Sequence, residues 1–265
     1  MAGHVNFIER MEQILDNDEI LECINNKDWF GLTKFIGDGL SENEYTALAC
    51  LCWNAGIDMP LVSNEGDYYS LDWGTAEALY TILKPLGIEK LRLPKEIKTI
   101  IHDCFNGCDL EDVILPDDLR FIGNHGFANT KLEEIDIPDS VIQVGWQCFE
   151  NCTKLKRVKL PKNNEFSTIG PSCFRGCIHL ESIDIPDSVN SIYGGAFYGC
   201  LNLKKVNLPS NLRFIHKNSF LNIHNACDIS YDGTVEKFRG VNKEPGSFTE
   251  NQIIHCTDGD YTCKG

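Results

Sequence analysis

The sequence predicts an α+β protein, in which a small N-terminal helical bundle is followed by a solenoid of parallel strands and a C-terminal cap. Long stretches with helical spacing of apolar residues occur in residues 1–87, the first predicted domain. A motif then recurs six times over residues 88–228, and residues 229–265 depart from it. Repeats of this length are typical of solenoids, because one unit cannot bury its own apolar side and stacked units can.

The N-terminal domain is predicted to form four helices, because its apolar residues are spaced three and four apart. The third of these helices is expected to place Cys50 in the core. A loop is expected at about residues 57–71, where Tyr68 and Tyr69 lie among acidic residues and are candidates for contact with a basic, peptide-like partner. The domain holds 15 Asp and Glu against 4 Lys and Arg, which is a net charge of −11.

Each repeat, numbered here one to six, is predicted to contain a strand, a second extended piece and a turn. In the fifth unit, "LESIDIP", Leu180, Ile183 and Ile185 alternate with polar residues, the pattern of a half-buried strand. Pro186 ends this strand because proline cannot donate to a ladder. A second extended piece, "SVNSI", precedes a turn that carries a phenylalanine. Equivalent phenylalanines recur every 22 to 25 residues, at Phe105, Phe127, Phe149, Phe174, Phe197 and Phe220.

These units resemble the BspA-like (Treponema-type) leucine-rich repeat, over about residues 88–230, as in "IDIPDSVNSIYGGAFYGCLNL". The tail, "ISYDGTVEKFRGV" followed by "IIHCTDGD", is similar to the segment that closes such arrays. The resemblance implies a curved parallel solenoid with strands along one face and a cap over residues 229–265. Family members are often bacterial surface adhesins. This N-terminus lacks the basic start and apolar core of a signal peptide, so a cytoplasmic location is predicted instead, and a viral, phage-type origin also fits.

The 13 cysteines are interpreted as free thiols, most of them buried. In the repeats they occupy two positions, one on each side of the phenylalanine, which other units fill with compact residues such as Ala196 and Thr130. Zinc needs four ligands at one point, whereas equivalent cysteines repeat along the stack, so no metal site is predicted. Phosphate-binding loops and the common nucleophile and zinc-protease motifs are missing from the sequence, so neither a cofactor nor enzymatic activity is predicted.

The outward positions of the first strand of each unit form a mixed charged stripe. Acidic residues dominate it in units two and three, and basic residues in units four and six. Nucleic acid favours unbroken basic charge, so a protein partner is predicted rather than DNA or RNA. The candidate contact residues on this stripe are Arg92, Lys156, Arg157 and Lys159. The alternative is a face that serves only solubility.

Large aromatic residues replace polar ones at a second set of positions. Phe121 and Phe214 stand where other units have threonine, glutamine or serine, and Arg120 and Arg213 precede them. Trp146 stands where other units have His, Asn, Pro, Gly or Lys. Aromatic and arginine side chains dominate the energetics of protein interfaces, so these five residues are candidate hot spots. The alternative is that the rings pack on neighbouring units.

Two functions remain open from the sequence. The first is a non-enzymatic protein–protein interaction module without membrane insertion, since no run of about 18 apolar residues exists. The second is an inhibitor, for which a phage-encoded origin fits, whose acidic N-terminal domain mimics nucleic acid and blocks a basic site on a host protein. The sequence leaves the oligomeric state open.

Overall fold

The computed structural model describes residues 91–263, the backbone of a strand at Tyr69–Leu71 and six helical residues closer to the N-terminus. These six are Asp18, Glu19, Glu22, Asn26, Ala49 and Cys50. Ala49 and Cys50 are buried, as the sequence predicts for Cys50. The rest of the predicted helical bundle lies outside the described residues, and so does Tyr68.

The repeats form two rows of short parallel strands, here called ladders, which confirms the predicted parallel solenoid. Strand pairing divides the first ladder into three sheets and the second into two. The first ladder comprises β2 (Leu91–Arg92), β4 (Val113–Ile114), β6 (Glu134–Asp136), β8 (Arg157–Lys159), β10 (Ser182–Asp184), β12 (Lys205–Leu208), β14 (Asp228–Tyr231) and β16 (Ile253–Cys256). The second comprises β1 (Tyr69–Leu71), β3 (Ile97–Ile100), β5 (Phe121–Ile122), β7 (Gln143–Val144), β9 (Thr168–Ile169), β11 (Ser191–Ile192), β13 (Phe214–Ile215) and β15 (Asn242–Lys243). The second extended piece of each unit is therefore itself a strand, and strands line two sides of the core rather than one.

Strand β1 corrects the predicted loop of residues 57–71 at its last three residues, and the rest of that loop lies outside the described residues. Strand β1 pairs in parallel with β3, with Tyr69 opposite Ile97 and Leu71 opposite Ile100, and so adds a rung to the second ladder. The segment does not carry the repeat motif, so the motif could not predict it. It becomes a strand because it pairs with β3 of the first unit in the folded chain. The candidate residue Tyr69 is thus part of the backbone ladder.

A column of phenylalanine rings runs through the core. Neighbouring rings are stacked with centroids 5.1 to 5.6 Å apart and interplanar angles of 12° or less. Parallel rungs repeat about every 4.8 Å, so equivalent side chains fall on top of one another and their rings stack. The column holds the six phenylalanines of the repeat and a seventh ring, Phe248, which the repeat motif does not include.

The cysteines after the phenylalanines are hydrogen-bonded core residues. The Sγ of Cys152, Cys177 and Cys200 donates to the carbonyl oxygen of a phenylalanine in the preceding unit, at 3.0 to 3.1 Å. In unit two the hydroxyl of Thr130 donates to the carbonyl of Phe127 at 2.8 Å. This position therefore favours a compact side chain, and in units two to five that side chain also donates. All eleven cysteines among the described residues are free.

The C-terminal segment covers the last turn of the core. Helix α1 (Val235–Arg239) begins after Thr234, whose side chain accepts a hydrogen bond from the backbone of Lys237. Its buried Phe238 contacts the rings of Tyr231 and Tyr261, with centroids 4.9 and 5.1 Å away. Strand β17 (Gly259–Thr262) then folds back antiparallel to β16 and ends the first ladder. Within the described residues no helix is long and apolar enough to cross a membrane.

Truncation of a ring in the column is expected to destabilise the solenoid strongly. Phe174 is fully buried between two stacked rings, so Phe174→Ala removes both contacts and leaves a cavity. The expected cost is roughly 3–5 kcal/mol in the free energy of unfolding, measured by urea denaturation with circular dichroism. The control is Phe214→Ala, whose ring is 44% exposed and should cost less than about 1 kcal/mol. Equal losses of stability for the two variants would contradict the column of phenylalanine rings as the main source of stability.

The buried thiols are expected to weaken the fold at alkaline pH. Burial raises the pKa of Cys152 to about 11 and that of Cys200 to about 12, from an ordinary value near 9. Unfolded thiols ionise above pH 9 while the folded ones stay protonated, so stability present below pH 9 is lost as the pH rises towards 12. Between pH 8 and 10 each buried thiol is expected to cost about 1 kcal/mol.

The measurement is the urea midpoint at pH 8 and pH 10 in the presence of a reductant. Cys200→Thr keeps a donor at the position, as Thr130 does in unit two, and it removes one ionisable group. Its stability should therefore fall less between the two pH values than that of the unsubstituted chain. An identical pH dependence would show that the thiols do not contribute.

Candidate functional site

The charged stripe on the first ladder is largely paired within the chain. Lys156 contacts Glu133, with Nζ 2.7 Å from Oε2, and this hydrogen bond lowers the pKa of the glutamate and raises that of the lysine. Arg157 contacts Glu134 and also Asp136, whose Oδ1 is 3.2 Å from Nη1. The basic residues of unit four therefore neutralise the acidic residues of unit three.

This pairing lowers the contribution that the candidate residues on the stripe could make to binding a partner. Lys156 and Arg157 already have partners, and a bound protein would have to replace them at little net gain, since exposed ion pairs are weak. Arg92 is exposed on β2. Lys159 is exposed on β8 and forms no ion pair with any residue in the described part of the chain. The stripe is accordingly a poor candidate for the main contact surface.

The aromatic candidates point outwards from the second ladder and the turn that follows it. The exposed fractions are 37% for Phe121, 59% for Trp146 and 44% for Phe214. Phe121 and Phe214 lie in one row of the ladder, in units two and six, so four rungs or about 19 Å separate them. The rings are thus partly free of the neighbouring units rather than packed away.

Sequence reasoning missed two further members of this surface. Tyr193 is 39% exposed, and its ring stacks on His216 with centroids 4.8 Å apart. Phe214 lies beside His216 at 6.5 Å. The available signal was that Tyr193 stands where units two to four have glycine. We call Phe121, Trp146, Tyr193, Phe214 and His216 the aromatic surface.

Trp146 is held in place by its neighbours along the stack. Its backbone N–H donates to the side-chain oxygen of Asn124 at 2.8 Å. Its indole lies over Gly170, where an added Cβ would come within 3.2 Å of Cδ1. A glycine in unit four therefore makes room for the ring of unit three, and the indole is presented in a defined position.

The two candidate arginines differ in their surroundings. Arg120 is half-buried and lies 3.7 Å from Glu165, measured from Nη2 to Oε2. Arg213 is exposed, and its side chain makes no ion pair with any residue of 91–263. Arg213 next to Phe214 thus combines an aromatic ring with an available charge, which is the stronger pairing for a contact site.

Comparison with known proteins supports the architecture. The family described as "BspA type Leucine rich repeat region" matches residues 83–167 and 163–241, in six copies. The chain belongs to this family. BspA-type leucine-rich repeats are generally binding modules that mediate protein interactions, and no catalytic family is indicated. No metal-binding cluster of His, Cys, Asp or Glu occurs among the described residues.

Solved structures of other leucine-rich-repeat proteins are similar to this chain. A leucine-rich repeat protein from Bacteroides ovatus is 27% identical over 62% of this chain and 38% of its own, with a TM-score of 0.49. A leucine-rich cell surface protein from Faecalibacterium prausnitzii is 20% identical over 67% of this chain and 61% of its own, with a TM-score of 0.39. A leucine-rich repeat protein from Eubacterium ventriosum is 23% identical over 65% and 47%, with a TM-score of 0.46.

In each case this chain spans less than two thirds of the solved structure's length. No curated protein matches the chain.

The glycines next to the aromatic surface are expected to differ sharply in their tolerance of a side chain. At Gly145 an added Cβ would lie 2.4 Å from the backbone of Gly123, which cannot move without breaking the ladder. At Gly194 the nearest atom would be 3.4 Å away, an ordinary contact. Gly145→Ala should therefore cost about 1–3 kcal/mol in unfolding free energy, and Gly194→Ala within about 0.5 kcal/mol of zero. Urea denaturation measures both, and the reverse ranking would contradict the packing of the turns.

Proposed function

We propose that this protein is a non-enzymatic binding module that contacts a protein partner through the aromatic surface. The observation that carries the proposal is the set of four large exposed rings on one side of a rigid stack, at positions where most units have small or polar residues. Exposed aromatic clusters of this kind mark interaction sites, because burying a ring contributes much apolar contact at low entropic cost.

The charged stripe has a secondary role in this proposal. Its ion pairs between units hold it close to neutral, so it excludes wrong partners more than it attracts the right one. A partner that depended on this face would have to compete with contacts already present. The aromatic surface has no such internal competitor at Trp146, whose ring is more than half exposed.

We further propose that the protein works in a reducing compartment such as the cytoplasm. The support is the core itself, where thiols of Cys152, Cys177 and Cys200 donate hydrogen bonds to backbone carbonyls. Oxidation of any of them would remove a donor from the core. The solenoid is therefore suited to conditions that keep its thiols reduced.

The proposal predicts that aromatic variants lose the partner while the fold is kept. The test uses the full-length chain as bait in a lysate of the source organism, with bound proteins identified by mass spectrometry. Trp146→Ala and Phe214→Ala, singly and together, should reduce capture of the partner by about tenfold or more, because each removes a candidate hot spot. Lys159→Ala is the matched control on the other ladder, and it should bind as the unsubstituted chain does.

Two results would count against the proposal. If the double variant captures as much of the partner as the unsubstituted chain does, the aromatic surface is not the contact site. Capture that is unchanged in the variants but is lost at moderate salt would favour the alternative function, in which the acidic residues of 1–87 block a basic site on a host protein.

A further inference from the structure

We infer that a notch in the fifth unit receives an acidic side chain of the protein partner. The inference rests on the proposed function and names the chemistry that the partner must carry. The notch is a cavity of about 390 Å³ on the turn side of units four to six, next to the aromatic surface. The side chains that line the notch determine which chemical group it can bind.

The notch exists because one unit lacks side chains that its neighbours have. The turn of unit four carries Pro171 and Ser172, and that of unit six carries Lys217 and Asn218. At the equivalent positions unit five has Gly194 and Gly195. Gly195 has a positive φ of 67°, which glycine adopts without strain. Gly194 has no such requirement, and a Cβ there would meet only ordinary contacts. The open space at Gly194 is therefore not imposed by the backbone.

Two cationic side chains stand at the rim of the notch. The guanidinium of Arg175 lies over the ring of Tyr198, 5.4 Å from its centroid, which holds the side chain beside the opening. Lys217 is exposed, and its side chain makes no hydrogen bond or ion pair with the described residues. Its stem passes Gly194, since Cγ would be 4.0 Å from an added Cβ. A carboxylate placed in the notch would have a guanidinium on one side and an ammonium on the other.

The acidic residues near the notch do not fill this role. Glu150 lies 3.8 Å from Arg175, and it also accepts a hydrogen bond from Gln147 at 2.6 Å. Its side chain is only 17% exposed, so it orients the guanidinium from behind without covering it. Glu244 accepts from the backbone N–H of Lys217 at 2.8 Å and contacts His216. The ammonium of Lys217 is left as the available donor at the rim.

The aromatic surface adds a second requirement on the partner. Tyr193 and His216, which stack on each other, directly precede Gly194 and Lys217 in the chain. A bound segment that places a carboxylate in the notch therefore sets the neighbouring residue against these rings. The partner that fits is a protein segment with Asp or Glu next to an aromatic or large aliphatic residue. A charge-assisted hydrogen bond to Arg175 would supply much of the selectivity.

The test is selection of peptides from a displayed library of random dodecapeptides on the full-length chain and on Gly194→Leu. The leucine fills the notch from a position that accepts a side chain, so the variant should fold, which circular dichroism checks. Peptides that bind the unsubstituted chain should be enriched in Asp or Glu beside an aromatic or aliphatic residue. They should bind Gly194→Leu at least about tenfold more weakly, as expected for the loss of one such contact.

A charge reversal supplies the second arm. Lys217→Glu should weaken the selected peptides similarly. Lys204→Glu should not, because Lys204 is an exposed lysine of the same unit that lies directly before β12, on the other side of the solenoid. Selected peptides without acidic enrichment, or with equal affinity for Gly194→Leu, would overturn the inference, and so would a failure to select any peptide. A natural partner that is released by Trp146→Ala but retained by Gly194→Leu would overturn the notch alone and leave the proposed function standing.

Discussion

The stacking of equivalent rings is the constraint on which the rest of this molecule depends. Each unit must place its phenylalanine directly over the previous one, with centroids 5.1 to 5.6 Å apart, or the apolar side of the neighbouring unit is exposed. That requirement sets the register of both ladders. It also places the turn cysteines within hydrogen-bonding distance of backbone carbonyls one unit away. The core therefore repeats because every rung has to fit the same neighbours.

The same constraint decides where variation is possible. Inward positions are held by the stack, so differences between units are concentrated on outward side chains and on the turns. Along the first ladder those differences cancel, as where Arg157 meets Glu134 and Asp136. On the other ladder they do not cancel: the ring of Trp146 and the gap at Gly194 have no counterpart that neutralises or fills them. A repeat protein of this kind acquires specificity through departures from its own motif.

Different elements extend the stack at its two ends. At the N-terminal side, strand Tyr69–Leu71 pairs with the first unit, and at the C-terminal side Phe238 and an antiparallel strand cover the last rung. These elements cover part of the backbone at each end, where an open parallel edge would present unpaired groups to other chains.

The sequence by itself determined the repeat, the strand alternation and the recurrence of an inward phenylalanine in every unit, because period and alternation are properties of the chain. It also marked Phe121, Trp146 and Phe214 as departures from the motif, but their exposure was decided by the tertiary structure. Only the tertiary structure decided the pairing of Tyr69–Leu71 with the first unit and the stacking of Tyr193 on His216. It also decided that Lys156 and Arg157 are engaged and that Gly194 opens a notch. These features depend on which side chains of neighbouring units lie next to one another, about 4.8 Å apart in the stack. The motif describes the residues within one unit and does not specify those contacts between units.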